Sequence, residues 1–463
     1  MKKELSSTLF WILLILFFIA NIYQGIHTNL YSDEAYYWTW SQHLDWGFFS
    51  HPPMVALWIR MGTLFLKGEL GVRLLFILAG PLTFLLGAKM VGKENRFSFL
   101  LFYLSLYAAH LAGIVASPDI PQMLFVMIFF SLYDLYLRRD ELCLTLLLAL
   151  VCTCLVYTKY HCFLIFLFTL IANPSLAKRK SFWTIVSLVV LLIIPHIIWQ
   201  FRYHFPTLQF HLFLRNMNPL KSENILMYFF KQFRFYGPWM LPFYLYLVFK
   251  IKPQHLLQKT LKWNVLGFFT FFLISSLRWV TADCWNSPVM VPMVVLVTQQ
   301  VQKINSWKRP LAVAATLSLL FLTYFRTYYY PFKGPLPLIP NFTLSYDDGH
   351  LRETFLAFDQ AGQGAQFVFI NNFGLSAKYD FYTGKYSHYF QYGPAKINEQ
   401  YDLWEREKSL QGKKVCIYQG HSLPIQCIVP FYSHQKKIIF LSPGKQKLTN
   451  YTFPWPGFQK KIR

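Results

Sequence analysis

Two adjacent carboxylates, in Ser32-Asp33-Glu34-Ala35-Tyr36-Tyr37-Trp38, follow directly on an apolar run long enough to cross a bilayer. Acid beside lipid is costly to desolvate, so such residues at a membrane mouth point to the handling of a proton, a metal or a cation. A third carboxylate, Asp119, stands alone between Pro118 and Pro121 in an otherwise apolar turn. Basic residues share these outer segments: Lys159 in Tyr157-Thr158-Lys159-Tyr160-His161, His51, Arg60 and Arg73 in the first loop, and Arg202 with His204. Each has a plain reading. The acids are favourable charges at helix starts, Lys159 snorkels to lipid phosphate, and the rest anchor or pack at the interface. The sharper reading joins them in one chemistry: an Asp takes a proton from an acceptor hydroxyl, and cations around an anion stabilise charge on a departing lipid-linked phosphate. No nucleotide is needed for this, in keeping with the lack of a Gly-x-x-x-x-Gly-Lys loop or a dinucleotide fingerprint.

The elements that must carry these residues follow from composition. The 463 residues are 55% hydrophobic, 19% aromatic and only 14% charged, the signature of a polytopic α-helical membrane protein. Apolar runs of roughly 16 to 22 residues, about eleven in all, recur from the N-terminus to the vicinity of Phe325. Basic loops alternate between them, at Lys2-Lys3, Lys89/Lys93/Arg96, Arg138-Arg139, Lys178-Arg179-Lys180, Lys250/Lys252 and Lys308-Arg309. The excess of Lys and Arg marks that side as cytoplasmic, so Asp33, Asp119, Lys159, Asp283 and the C-terminal region face outward. Lys2-Lys3 and the first run read as an uncleaved anchor rather than a signal peptide. The net charge of +23 is then largely a matter of cytoplasmic loops, and nucleic acid is not an expected partner.

Between Thr28 and Glu69 the first outer loop is neither polar linker nor span. Ser32 is placed to cap one helix and Pro52-Pro53 to open a second, both lying along the interface, with Tyr36, Tyr37, Trp38, Trp40 and Trp46 at headgroup depth. From about Tyr330 the long apolar runs stop, and short β-type segments such as 366–371 and 414–418 stand among Gly, Pro and Asn turns. The expected organisation is a transmembrane domain over 1–328, with its catalytic loop at 28–69, and a small α/β outer-face domain over 329–463. Cys143, Cys152, Cys154 and Cys162 fall in spans as packing residues, and no zinc spacing is present. Cys416 and Cys427 lie in the outer domain, where oxidation is open to them.

Asp33-Glu34-Ala35-Tyr36-Tyr37-Trp38, followed by His51-Pro52-Pro53 and Glu69-Leu70-Gly71-Val72-Arg73-Leu74, resembles the family 39-type glycosyltransferases of the GT-C superfamily. That family includes the protein O-mannosyltransferases and the bacterial aminoarabinose transferases of lipid A. Ser117-Pro118-Asp119, Thr158-Lys159-Tyr160, Trp199 with His204, Trp285-Asn286-Ser287-Pro288 and the stretch from Asn398 to Trp404 extend the likeness over most of the chain. The resemblance implies transfer of a sugar, with inversion, from a polyprenyl-phosphate donor such as undecaprenyl phosphate. The acceptor would be a lipid, a lipopolysaccharide or a protein at the outer face of a bacterial inner membrane. It implies Asp33 as base, Glu34 in support, Asp119 as the second acid of the cavity and Lys159 on the donor phosphate. His51 stands where the aminoarabinose branch carries Lys, which points to a phosphate or acceptor role. Some superfamily members use a divalent metal; Asp33, Glu34 and Asp119 are oxygen donors suited to a hard cation, but no complete ligand set is legible. A lipid-linked sugar flippase, or a ligase or polymerase using a diphosphate carrier, is the competing reading.

Overall fold

A computed structural model describes residues 2–111, 113–214, 219–237, 239–332, 351–361, 367–370, 372–389 and 399–404, together with strands at 414–418, 425–428, 438–441 and 447–451. The chain divides into two compact units: Met1–Thr28 with His51–Gly334, and Asn29–Ser50 with Pro335–Arg463. The first outer loop is therefore shared, residues 29–50 packing with the C-terminal segment and the remainder with the helices.

The first unit is helical. Ser7–His27, Gly68–Val91 and Asp119–Arg138 are long and apolar enough to cross a membrane, and the pair Lys180–Leu192 and Ile194–Arg202, bent by 43°, adds a fourth when taken as one span. Pro195, in the first turn beyond the bend, lacks the N–H that a continuous helix would need there. Shorter apolar helices at Met54–Phe65, Leu142–Thr158, Cys162–Ala172 and Met240–Lys250 account for other runs. The run centred near Leu106 is broken into Arg96–Leu104 and Tyr107–Leu111. Its freed carbonyls are satisfied by side chains, Leu104 O by His110 Nε2 at 2.8 Å and Ser105 O by Ser318 Oγ at 2.7 Å. Such replacement is what permits a break where water is scarce.

The turn from Met54–Phe65 into Gly68–Val91 depends on glycine. A Cβ at Gly71 would lie 2.0 Å from Leu66 O, and one at Gly62 would lie 2.3 Å from Gly71 O, so the two helices approach backbone to backbone.

The second unit contains a six-stranded sheet in the order β2-β1-β3-β4-β5-β6, with β1 Phe367–Ile370, β2 His388–Tyr389, β3 Lys414–Tyr418, β4 Ile425–Ile428, β5 Ile438–Leu441 and β6 Lys447–Tyr451. β1 pairs in parallel with β2 and β3, and the remaining pairs are antiparallel. A parallel β1–β2 pair needs a crossover, supplied by the helix Phe373–Thr383. Its Tyr379 is buried with Phe355, Phe358 and Ile370 in a small core. Cys416 and Cys427 fall on adjacent strands opposite Gln426 and Val415; their side chains lie outside the described residues.

Two helices form in the first outer loop, Ser32–Gln42 and Met54–Phe65. The cap differs in one respect from the sequence reading. Tyr31, not Ser32, is the N-cap residue, and the Glu34 carboxylate accepts the Tyr31 N–H at 2.8 Å. Glutamate reaching back to the N-cap amide is the acid half of a capping box, so Ser32 is not needed for the task.

Candidate functional site

In the helical unit three segments bring polar groups together. Asp119 opens the helix Asp119–Arg138 behind Pro118, Lys159 closes Leu142–Thr158, and Ser287 lies in the 3-10 turn Asp283–Val289. Lys159 Nζ donates to Asp119 Oδ1 at 2.8 Å, and the one proton of the Ser287 hydroxyl is shared between the same oxygen, at 3.0 Å, and Cys284 O, at 2.5 Å. Acid at a helix start and base at a helix end each complement the backbone dipole. All three residues are buried, Asp119 at 5% exposure and Lys159 at 6%. Lys159 is therefore not a lysine snorkelling outward; its ammonium is held inside the protein by a carboxylate.

The 283–289 turn is tied on several sides. Asn286 Nδ2 donates to Tyr228 Oη at 3.0 Å and to Gln232 Oε1 at 2.9 Å. Asp283 is paired with Arg234, whose Nε lies 3.0 Å from it, and with Lys231 at 3.9 Å. Burial, with Asp119 next, pushes the Cys284 thiol up to about 12. At neutral pH such a thiol stays protonated. One turn beyond Asp119, Gln122 is fully buried and neither amide atom has a hydrogen-bond partner among the described residues. Residues three apart share a helix face, so an amide awaiting a partner lies on the Asp119 side of this helix.

Ser287→Ala is expected to cost about 1 kcal/mol, the worth of the one hydrogen bond its hydroxyl shares between Asp119 and Cys284 O, and to leave the Lys159 pair in place. Thermal unfolding of the variant checks this.

The remaining cations of the helical unit have other partners or settings. Arg73 is buried, and its Nη1 donates to Gly25 O at 3.2 Å and to Thr28 O and Oγ1, each at 2.8 Å. It closes the C-terminal end of the first helix, a favourable place for a cation. Arg60 is exposed on Met54–Phe65, and His51 is half-buried ahead of it. Arg202 is exposed with its guanidinium 5.7 Å from the Tyr203 ring centre.

His204 is exposed and, with Phe205, occupies the left-handed region at φ 58° and 56°. Two such non-glycine residues in succession cost on the order of 1–2 kcal/mol each. The conformation is held by Phe205 N–H donating to Gln200 O at 2.7 Å and Gln209 Nε2 donating to His204 O at 2.8 Å. Gln200 also donates to Tyr160 Oη and to Thr207 Oγ1, each at 2.9 Å, and Tyr160 Oη bonds His196 Nε2 at 2.8 Å. Sequence reasoning passed over His196 and Gln200. The signal in the sequence was a polar pair four apart within the mainly apolar helix Ile194–Arg202.

In the second unit, Asp33 lies in the first turn of Ser32–Gln42. Its carboxyl is held above the ordinary aspartate value, first by loss of hydration among the surrounding protein and second by the Glu34 carboxylate. The side chain is nonetheless exposed to solvent. The two are compatible when protein crowds the volume around a group that water still touches, and it is surface exposure that lets another molecule reach the carboxylate. Glu34 is fully buried with its Oε2 on the Tyr31 amide. Among the described residues no group of three or more His, Cys, Asp or Glu side chains is placed to hold a metal ion.

No family model matches the chain. The fold is that of ArnT from Cupriavidus metallidurans. The apo crystal structure superposes with a TM-score of 0.64 at 14% identity, over 86% of each chain. The same protein bound to undecaprenyl phosphate gives 0.63 at 13%, over 86% of this chain and 87% of that one. Among curated proteins, the lipid A galacturonosyltransferase RgtD of Rhizobium johnstonii is 30% identical over 141 residues, 29% of this chain and 29% of RgtD. The chain thus aligns with less than a third of that relative's length.

Proposed function

We propose that this chain is an integral glycosyltransferase of a bacterial inner membrane. It moves a sugar, with inversion, from a polyprenyl-phosphate donor to a hydroxyl or phosphate of a lipid, lipopolysaccharide or protein acceptor at the outer face. The observation that carries the reading is the buried Lys159–Asp119–Ser287 cluster in a helical unit with the ArnT fold. The undecaprenyl phosphate bound by ArnT and the lipid A named for RgtD support the donor and the acceptor class. In this reading about eleven spans make a membrane domain over 1–328, with the N-terminus cytoplasmic. Residues 329–463 form a small α/β domain outside, and 29–50 pack with it.

Each group has a stated part. Asp33, exposed and with its carboxylate made more basic than an ordinary aspartate, is the base that takes the acceptor's proton. Glu34 keeps the helix start in place and raises the basicity of Asp33. Asp119 holds the Lys159 ammonium at 2.8 Å, and that cation meets the donor phosphate, while Gln122 offers its amide to the phosphate or sugar. Arg73 supports the end of the first helix, and Arg60, His51, Arg202 and His204 are available to lipid or acceptor phosphate rather than to the buried cluster.

The test is mass spectrometry of lipids, glycolipids and proteins from cells with and without the gene, complemented by wild-type or Asp33→Asn chain. A glycan lost in the deletion and restored only by wild type supports the reading. An unchanged glycan inventory with lipid-linked intermediates redistributed between leaflets overturns it in favour of a flippase.

A further inference from the structure

An eleven-residue helix is too short to persist in water on its own. Ser32–Gln42 must therefore be fixed by what it packs on, and every fixture described here comes from the second unit. Its start rests on the helix Phe373–Thr383: a Cβ added to Gly374 would lie 2.5 Å from Ser32 Cβ and 3.0 Å from Ser32 Oγ. Only a hydrogen fits there, one residue from Asp33. Ahead of the helix, Leu30 N–H donates to Tyr382 Oη at 2.9 Å. Beyond it, Phe49 N–H donates to Gln400 Oε1 at 2.7 Å.

The central fixture is Tyr36, one turn from Asp33 and 4% exposed. Its hydroxyl donates to Glu399 Oε2 at 3.0 Å and accepts the Gln400 N–H at 2.5 Å. The ring lies 4.8 Å from that of Phe373 and stacks on Tyr401 at 5.6 Å. Burial, and after it the Glu399 carboxylate, hold the phenol protonated, as the donor role requires.

We infer that Tyr36, clamped by Glu399 and Gln400, is the positioning residue of Asp33, so that the C-terminal segment sets the geometry of the base. The inference rests on the reading of Asp33 as base. A phenol bonded at both its donor and its acceptor side fixes rotation of the helix about its axis as well as its height. A base displaced by about 1 Å loses on the order of a hundredfold in rate.

The experiment uses full-length chain in lipid vesicles, the total polyprenyl-phosphate-sugar fraction of bacterial membranes as donor, lipid A as acceptor, and undecaprenyl phosphate as the binding probe. Tyr36→Phe keeps the ring and removes the hydroxyl. It is expected to lower kcat about tenfold to a hundredfold, with KM for the donor and affinity for undecaprenyl phosphate within about twofold of wild type. Glu399→Ala should reproduce the loss, Glu399→Gln, which keeps an acceptor, should lose less, and Tyr36→Phe with Glu399→Ala should be no worse than either alone.

Wild-type kcat in Tyr36→Phe overturns the inference, as does a loss confined to KM or losses that multiply in the double variant. Should Tyr36→Phe fail to fold, Gly374→Ala carries the same test through the Ser32 contact, with the same split between kcat and KM expected. Asp33→Asn separates the two ideas. If it is inactive while Tyr36→Phe is wild type, only the positioning role falls; if it turns over normally, the base reading falls first.

Discussion

Asp33→Asn is expected to lower turnover by about a hundredfold or more, the usual consequence of losing a general base, with undecaprenyl phosphate bound as before. The amide keeps the shape and exposure of the carboxylate, so a change in kcat alone isolates the proton transfer. The pH profile supplies a second check. The folded protein holds the Asp33 proton more tightly than the ordinary value of 3.8 would allow, because burial and then Glu34 oppose the charge. A base works only when ionised, so the acid limb of kcat/KM should lie above the ordinary aspartate range. Glu34→Gln removes one of the two causes and keeps an oxygen for the Tyr31 amide, so it should move that limb downward without abolishing activity. Wild-type turnover in Asp33→Asn, or an acid limb indifferent to Glu34→Gln, would remove Asp33 from the chemistry.

What the sequence disclosed and what it withheld divide along physical lines. Helices around the apolar runs and the two helices of the first outer loop follow from periodicity, proline placement and composition, which are local. The pairing of Lys159 with Asp119 is separated by 40 residues, and Ser287 joins them from 168 residues away. No local pattern encodes such distances. Arg73 looked like an anion ligand because it is a cation beside a membrane, yet its guanidinium serves the carbonyls at the end of the first helix. The break near Leu106 was hidden for the opposite reason. It contains no proline or glycine, and what makes it tolerable is His110, six residues on, together with Ser318 and Tyr244, brought in by tertiary structure. Residues 29–50 looked like part of a membrane loop, because nothing in them records that Glu399, Gln400 and Tyr382 are their partners.

The second large effect belongs to the buried pair. Lys159→Ala leaves the Asp119 carboxylate inside the protein with the Ser287 hydroxyl but without its cation. Breaking one side of a buried pair costs about 3–5 kcal/mol, so the variant should unfold at markedly lower temperature, and loss of undecaprenyl phosphate binding could be mistaken for loss of fold. A second substitution separates the two. Lys159→Ala with Asp119→Asn removes the stranded charge, and stability should largely return because the penalty lay in the unpaired carboxylate. Binding should not return, since the amide restores no cation for the phosphate. Recovery of both properties together would mean that the pair serves only the packing of these helices. Recovery of stability alone would place the ammonium on the donor and leave Asp119 as the group that holds it there.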